Sequence, residues 1–203
     1  MKKKEKSLKV SKPKKNLPLK KKLIKLLEDD QKMRKAFRKQ KGKKHIKVDF
    51  EKIKALDKSN QKQLLEIVEK HGWPQFSQVG KKAAAAAFYI IQHASVDLIE
   101  IYLPVIKKLA KSGEASPIHA AMMEDRLSMY RGKKQKYGTQ VFSKTDDNGK
   151  INYFIWPIKN VKKINQIRKS KGFKKNIKQY AKALKATYNP TEALPVKSHA
   201  KIS

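Results

Sequence analysis

The chain has 203 residues, 39 % of them hydrophobic, no cysteine and a formal net charge of +34. This excludes a disulfide framework, a thiolate metal site and a cysteine nucleophile. It also excludes a membrane-spanning helix, because no apolar run approaches about 18 residues.

Residues 1–20 read as a basic tail, interrupted by Pro13 and Pro18, that is disordered in isolation. It serves either as a solvated tail or as a nuclear address or nucleic-acid arm. From Leu23 to about Lys39, apolar residues recur every three or four positions, which predicts a helix. Asp30 and Arg34 fall on its apolar stripe with Gln31 beside them. A buried charge needs a partner, and i,i+4 spacing lets these two pair with each other, as a structural ion pair or a ligand-facing one.

After a basic connector around Gly42, Asp49 is expected to cap a short helix carrying Phe50, Ile53 and Leu56. A second helix is expected from about Ser59 to Lys70, ending at His71-Gly72-Trp73-Pro74. Ser77 is the expected cap of the next helix, with Gly80 in its first turn. The run Ala83–Ala87 and Phe88–Ile91 has no polar face, so that helix should lie at the centre of the fold. Gln92 and His93 then interrupt the apolar run, as satisfied core groups or as pocket lining. Asp97 is read as the cap of a helix running to about Lys111, kinked at Pro104. Ser116-Pro117 is a strong helix start. In the helix that follows, Asp125 lies on the apolar face with Arg126 next to it. That carboxylate calls for a cation or donor from elsewhere, with Arg34, His71 and His93 as candidates.

Tyr137–Phe142 and Ile151–Trp156 read as two strands around the turn Asp146-Asp147-Asn148-Gly149. Two short helices follow, the first capped at Asn160 and the second carrying Phe173, Ile177, Tyr180 and Leu184. The sequence therefore describes a mainly α (α+β) single-domain helical bundle with one small antiparallel β-hairpin. Its expected parts are a tail at 1–20, a domain at 21–188 with the hairpin at about 137–156, and a flexible C-terminal tail at 189–203.

The positive charge supports two readings. One is an electrostatic module for RNA, DNA or another polyanion, acting through the lysine-rich tails. The other is compositional bias towards lysine, since the only arginines are Arg34, Arg38, Arg126, Arg131 and Arg168. The sequence has no phosphate-binding glycine loop, nucleophile elbow or zinc-protease motif. His71, His93, His119 and Asp125 would form a metal site only if the fold brought them together, so no metal or cofactor is assigned.

Asp30-Gln31-x-x-Arg34, His71-Gly72-Trp73-Pro74, Gln92-His93, Glu124-Asp125-Arg126 and Tyr137-Gly138-Thr139-Gln140 occur in that order. With Pro157, Arg168, Gly172 and Tyr180, this ordered set resembles a bacterial domain family of unknown function across residues 22–185. The resemblance implies a bacterial origin and one domain, and names no reaction. It also leads one to expect an aspartate after Gln92-His93, where this chain has Ala94-Ser95.

The polar residues at apolar positions define a candidate site. His71, His93 and Asp125 are its candidate catalytic residues, with a histidine as general base oriented by Asp125 or Asp30. Asp30, Gln31, Arg34, Gln92, Arg126, Tyr137 and Gln140 are its candidate ligand-binding residues, the arginines suited to a small anionic ligand. Three functions follow: a pocket that binds or turns over such a ligand, a polyanion-binding module, or a structural network serving an unseen partner. The expected location is cytoplasmic, with export into a host cell by a non-classical route as the alternative.

Overall fold

The computed structural model describes residues 15–40, 50–195 and 201–202. The expectations for residues 1–14 and for the connector around Gly42 lie outside these. The chain is mainly helical with a small β part. The helices are α1 (Leu17–Gln40), α2 (Phe50–His71), α3 (Phe76–Val79), α4 (Lys81–Ile91), α5 (Val96–Lys111), α6 (Pro117–Tyr130), α7 (Ile164–Ser170) and α8 (Ile177–Ala183). The strands are β1 (Val141–Thr145), β2 (Ile151–Ile155), β3 (Ala186–Thr187) and β4 (Lys201–Ile202).

α1 starts earlier than its apolar periodicity suggests. The Asn16 side chain accepts the Leu19 N–H at 3.0 Å, and Pro18 falls in the first turn, where a missing N–H costs nothing. Leu19, Leu23, Leu26 and Leu27 bury one face of α1. That face runs along α4, whose Ala83, Ala84, Ala86 and Ala87 are small enough for close approach. The expectation that α4 lies at the centre holds: Phe88, Ile90 and Ile91 are buried as well.

Between α2 and α5, three boundaries differ from the sequence expectation. α2 is one helix, not two. Asp57-Lys58-Ser59-Asn60 looked like a helix start, but the Asp57 side chain reaches Arg34 and Asn60 is buried, so neither competes for the backbone. Gly80 lies between two helices rather than in a first turn, with φ +81°. Ser77 caps nothing; its N–H and hydroxyl both donate to Glu114 at 2.8 Å. α5 starts after Ser95, with Asp97 in its first turn. The Ser116-Pro117 start is found as expected, with Ser116 Oγ accepting the His119 N–H.

The hairpin pairs Val141 with Ile155 through to Thr145 with Ile151. Its turn is closed by Asp146, which accepts the N–H groups of Asn148 and Lys150. The sheet order is β3-β2-β1-β4, with β3 parallel to β2.

The expected strand from Tyr137 begins only at Val141, because the N–H groups before it are already engaged. Asp125 takes those of Lys136, Tyr137 and Thr139. The side chain of Gln135, with no exposed surface, accepts the Gln140 N–H and donates to the carbonyls of Gln140 and Trp156. Residues 135–140 are therefore a largely buried loop, tied to the backbone of 156–159 at its ends and satisfied between them mainly by side chains.

Candidate functional site

The loop at 136–140 and helix α6 together set the geometry of the site. Asp125 has no exposed surface. Its carboxylate accepts the N–H of Lys136 at 2.7 Å, of Tyr137 at 3.0 Å and of Thr139 at 3.0 Å, and the Thr139 hydroxyl at 2.9 Å. Burial pushes this carboxyl up to about 6, while those hydrogen bonds pull the other way. All four groups aimed at its oxygens are donors, so the loop accommodates the ionised form at neutral pH.

On the far side of the loop, Arg168 donates to the carbonyls of Tyr137 at 2.7 Å and Gly138 at 3.3 Å, and to that of Lys175 at 3.0 Å. Its guanidinium lies 4.6 Å from the ring centroids of both Phe173 and Tyr180. A carboxylate holds the N–H side of the loop and a guanidinium holds the carbonyl side. Gly138 is needed between them: its φ is +69°, and a Cβ there would come within 2.6 Å of Ile177 Cδ1.

A helix turns by about 100° per residue, so Asp125 separates two opposite strips of α6. On one strip, Met122 and Arg126 face a cavity of about 660 Å³. The cavity is also lined by Asp30, Gln31 and Arg34 of α1, Asp57 of α2, Gln92 and His93 at the end of α4, Thr139 and Gln140 of the loop, and Tyr180 of α8. Ile53, Leu56, Val141 and Leu184 supply apolar wall. Seven of the ten residues singled out in the sequence thus line one cavity: Asp30, Gln31, Arg34, Gln92, His93, Arg126 and Gln140.

Within it, Arg34 bridges two carboxylates, Asp30 at 3.0 Å and Asp57 at 2.6 Å, and Gln31 donates to Asp30 at 2.8 Å. Burial raises the Asp57 carboxyl, with Arg34 pulling it back. Gln140 donates to Thr139 Oγ1 at 3.0 Å. Arg126 donates to the Tyr130 hydroxyl at 3.4 Å. His93 is held neutral: burial, then Arg34, then Arg126 bring its pKa down to about 2. The cavity therefore presents two guanidiniums, two carboxylates, three carboxamides and a neutral imidazole. It can hold a polar ligand through several directed bonds.

The other three candidates lie elsewhere. His71 is exposed at the C-terminus of α2, where it borders a separate cleft with Asn16, Lys22 and Glu66. His71 continues the stripe of Leu64, Ile67 and Val68 as the last residue of α2, yet it is exposed. Asp125 needs neither a histidine nor Arg34, because the loop backbone supplies its donors. Tyr137 is buried on the opposite side of the loop, its hydroxyl 3.3 Å from Glu124. His119 stacks on Phe88 with ring centroids 4.0 Å apart, and burial lowers its pKa to about 4. The fold thus disperses the four residues once considered as metal ligands. Among the described residues no group of three His, Asp or Glu is placed to hold a metal, and no helix is long and apolar enough to cross a membrane.

Sequence reading missed Asp57, Thr139 and Tyr180 as cavity residues, and Gln135 and Arg168 as the loop's supports. Asp57 was hidden by the expected helix break. Thr139 and Tyr180 stood inside motifs already noted. Nothing local marks Gln135.

Fold and site define a mainly helical domain with a polar cavity walled by α1, α2, α4, α6, α8 and the loop before the hairpin. Residues 17–191 match the family of unknown function DUF6624, and the chain belongs to that family. No curated protein and no solved structure matches the chain.

Proposed function

We propose that the domain binds a small anionic ligand in the cavity between α1 and α6. The observation that carries this reading is the convergence of Arg34, Arg126, Gln92, Gln140 and a neutral His93 on one 660 Å³ space. Polar groups buried to this extent are costly unless they satisfy one another or a ligand. Arg34, shared by two carboxylates, sets the field on one wall. Arg126 of α6 brings a second guanidinium to the same space, and the Gln92 and Gln140 amides complete the recognition.

His93 serves binding as a neutral group. Burial is the first reason it stays neutral, with Arg34 and Arg126 adding to it, and a bound anion would offset only the arginines' share. The imidazole is therefore a neutral hydrogen-bond partner, which makes binding the primary role of the cavity.

The test is a thermal-shift and calorimetric panel of small carboxylates and phosphate esters with the full chain and with Arg126→Gln. Binding by the native state raises Tm by mass action. The expected result is a ligand whose affinity falls about 10- to 100-fold in Arg126→Gln. Equal shifts in both proteins would sink the reading.

The lysine-rich polyanion-binding reading has a separate basis, and a specific part of the surface favours it.

A further inference from the structure

The other strip of α6 carries a second site. Pro117, Ala120, Ala121 and Glu124 face a cleft of about 570 Å³. Its opposite wall is the end of α5, with Lys107, Lys108 and Lys111; Lys136 of the loop and Lys171 after α7 close it. Five lysines thus meet one carboxylate. Lys107 pairs with Glu124 at 2.9 Å. The ammonium groups of Lys108, Lys111, Lys136 and Lys171 meet no carboxylate among the described residues.

Lysines in the last turn of a helix are common, because the dipole favours them there. That accounts for Lys108 and Lys111, and for Lys171 at the C-cap of a different helix, but not for their convergence. Lys136 comes from a loop whose position is fixed by Asp125, through its own N–H at 2.7 Å. Three separate segments therefore bring cations without a carboxylate partner to one concave space, where their summed field favours an anion.

The floor narrows the ligand further. Ala110, Ala120, Ala121 and Pro117 are small and apolar, so a compact group can sit among the ammonium ions. Tyr137, the aromatic residue in the lining, is 2 % exposed and its ring lies beneath Lys136 Nζ at 5.3 Å. No ring face is open for a base to stack on, so charge and not base identity would be read. The lysines act as point charges suited to phosphate oxygens.

We propose that this cleft, on the face of α6 opposite the cavity, is a binding site for adjacent phosphate groups, presented by a free oligophosphate or by the phosphates of a nucleic acid. Lys108, Lys136 and Lys171 are its principal contacts. The site is independent of the ligand proposed for the cavity.

The test titrates the full chain with inorganic pyrophosphate at physiological ionic strength, read by NMR amide shifts. Two variants lose the same charge. One carries Lys108→Gln, Lys136→Gln and Lys171→Gln; the other carries Lys20→Gln, Lys58→Gln and Lys62→Gln at exposed positions on α1 and α2. Affinity should fall about tenfold or more in the first and by less than about twofold in the second. Equal weakening, or no pyrophosphate binding by the native chain, overturns the proposal. A labelled single-stranded RNA separates the sources. RNA that is displaced by pyrophosphate and lost in the first variant makes nucleic-acid phosphates the ligand. RNA binding that ignores the first variant, with pyrophosphate binding still sensitive to it, makes a free oligophosphate the ligand.

Discussion

Asp30 and Asp125 occupy equivalent places in the chain: each sits on the apolar stripe of a helix and each is buried. Their surroundings differ in kind. Asp125 meets the backbone N–H groups of its own loop and the Thr139 hydroxyl. Asp30 meets only the mobile ends of side chains, Arg34 and Gln31, at the wall of a cavity. Burial of a polar residue does not by itself distinguish architecture from function; the type of partner does. A carboxylate that closes a loop cannot be released without losing the loop. One whose partners are themselves cavity groups belongs to a network that a ligand can rearrange.

The strongest test of this distinction is Asp125→Asn. The amide NH₂ would face N–H donors that now meet an anion, leaving buried donors unsatisfied. The expected cost is about 3 kcal/mol or more, a Tm drop of about 6 to 12 °C for a domain of this size. Because the loop walls both the cavity and the lysine cleft, both binding activities should weaken in this one variant. A loss below about 1 kcal/mol in urea titration would mean that the loop is held by something else.

A second test uses pH. His93 and His119 both titrate below the ordinary value in the folded chain, at about 2 and about 4. In the unfolded chain they take up protons near pH 6.5, so the unfolded state binds more protons as the pH falls below that value. Each therefore removes stability as the pH drops, by about 2 kcal/mol at pH 5. Asp125 acts in the opposite sense, since its raised pKa lets the folded state gain a proton through this range. The useful comparison is between variants. His119→Phe preserves a ring against Phe88 and removes one titration, so its advantage over the native chain should grow by about 2 kcal/mol between pH 7 and pH 5. Parallel unfolding curves at both pH values would show that His119 is not held neutral.

The helical part of the fold was readable because its signals are local. The Ser116-Pro117 start, the alanine run of α4 and the Asp146–Gly149 turn each depend on a few adjacent residues. The cavity was readable for a related reason: Asp30, Arg34, Gln92 and His93 stand out as polar residues at apolar helix positions, and that contradiction is visible without coordinates. What could not be read is the choice of partner. Whether Asp125 meets Arg34, a histidine or a backbone depends on a loop that begins ten residues later. The loop in turn depends on Gln135, whose side chain imitates a strand partner, and on Arg168 from α7. Tyr137–Gln140 has a strand's composition, yet its N–H groups were claimed by two side chains first. Asp57 went unnoticed because it fell between the two helices expected there, and only the crossing of α1 with α2 shows it on Arg34.

Asp30→Asn should cost about 1 kcal/mol, well under the cost at Asp125. Arg34 keeps Asp57 at 2.6 Å, so no guanidinium is abandoned. The effect should instead appear at the site. With one carboxylate gone the cavity gains positive charge, and the affinity of the proposed anion should rise severalfold. A stability loss equal to that of Asp125→Asn would erase the distinction between the two carboxylates.

The smallest effect is expected at His71. It attracted attention because it closes the stripe of α2 and opens His71-Gly72-Trp73-Pro74. The work of that motif falls to its other members: Trp73 is buried against Tyr102, with ring centroids 5.4 Å apart, and Gly72 turns the chain with φ +71°. His71 itself is exposed and stands outside the lining of the cavity. His71→Ala should therefore change stability by less than about 0.5 kcal/mol and leave anion affinity in the cavity unchanged, whereas Trp73→Ala should cost about 3 kcal/mol or more. If His71→Ala instead abolished anion binding, the cavity between α1 and α6 would not be the site at all, and the cleft beside Asn16 and Lys22 would take its place.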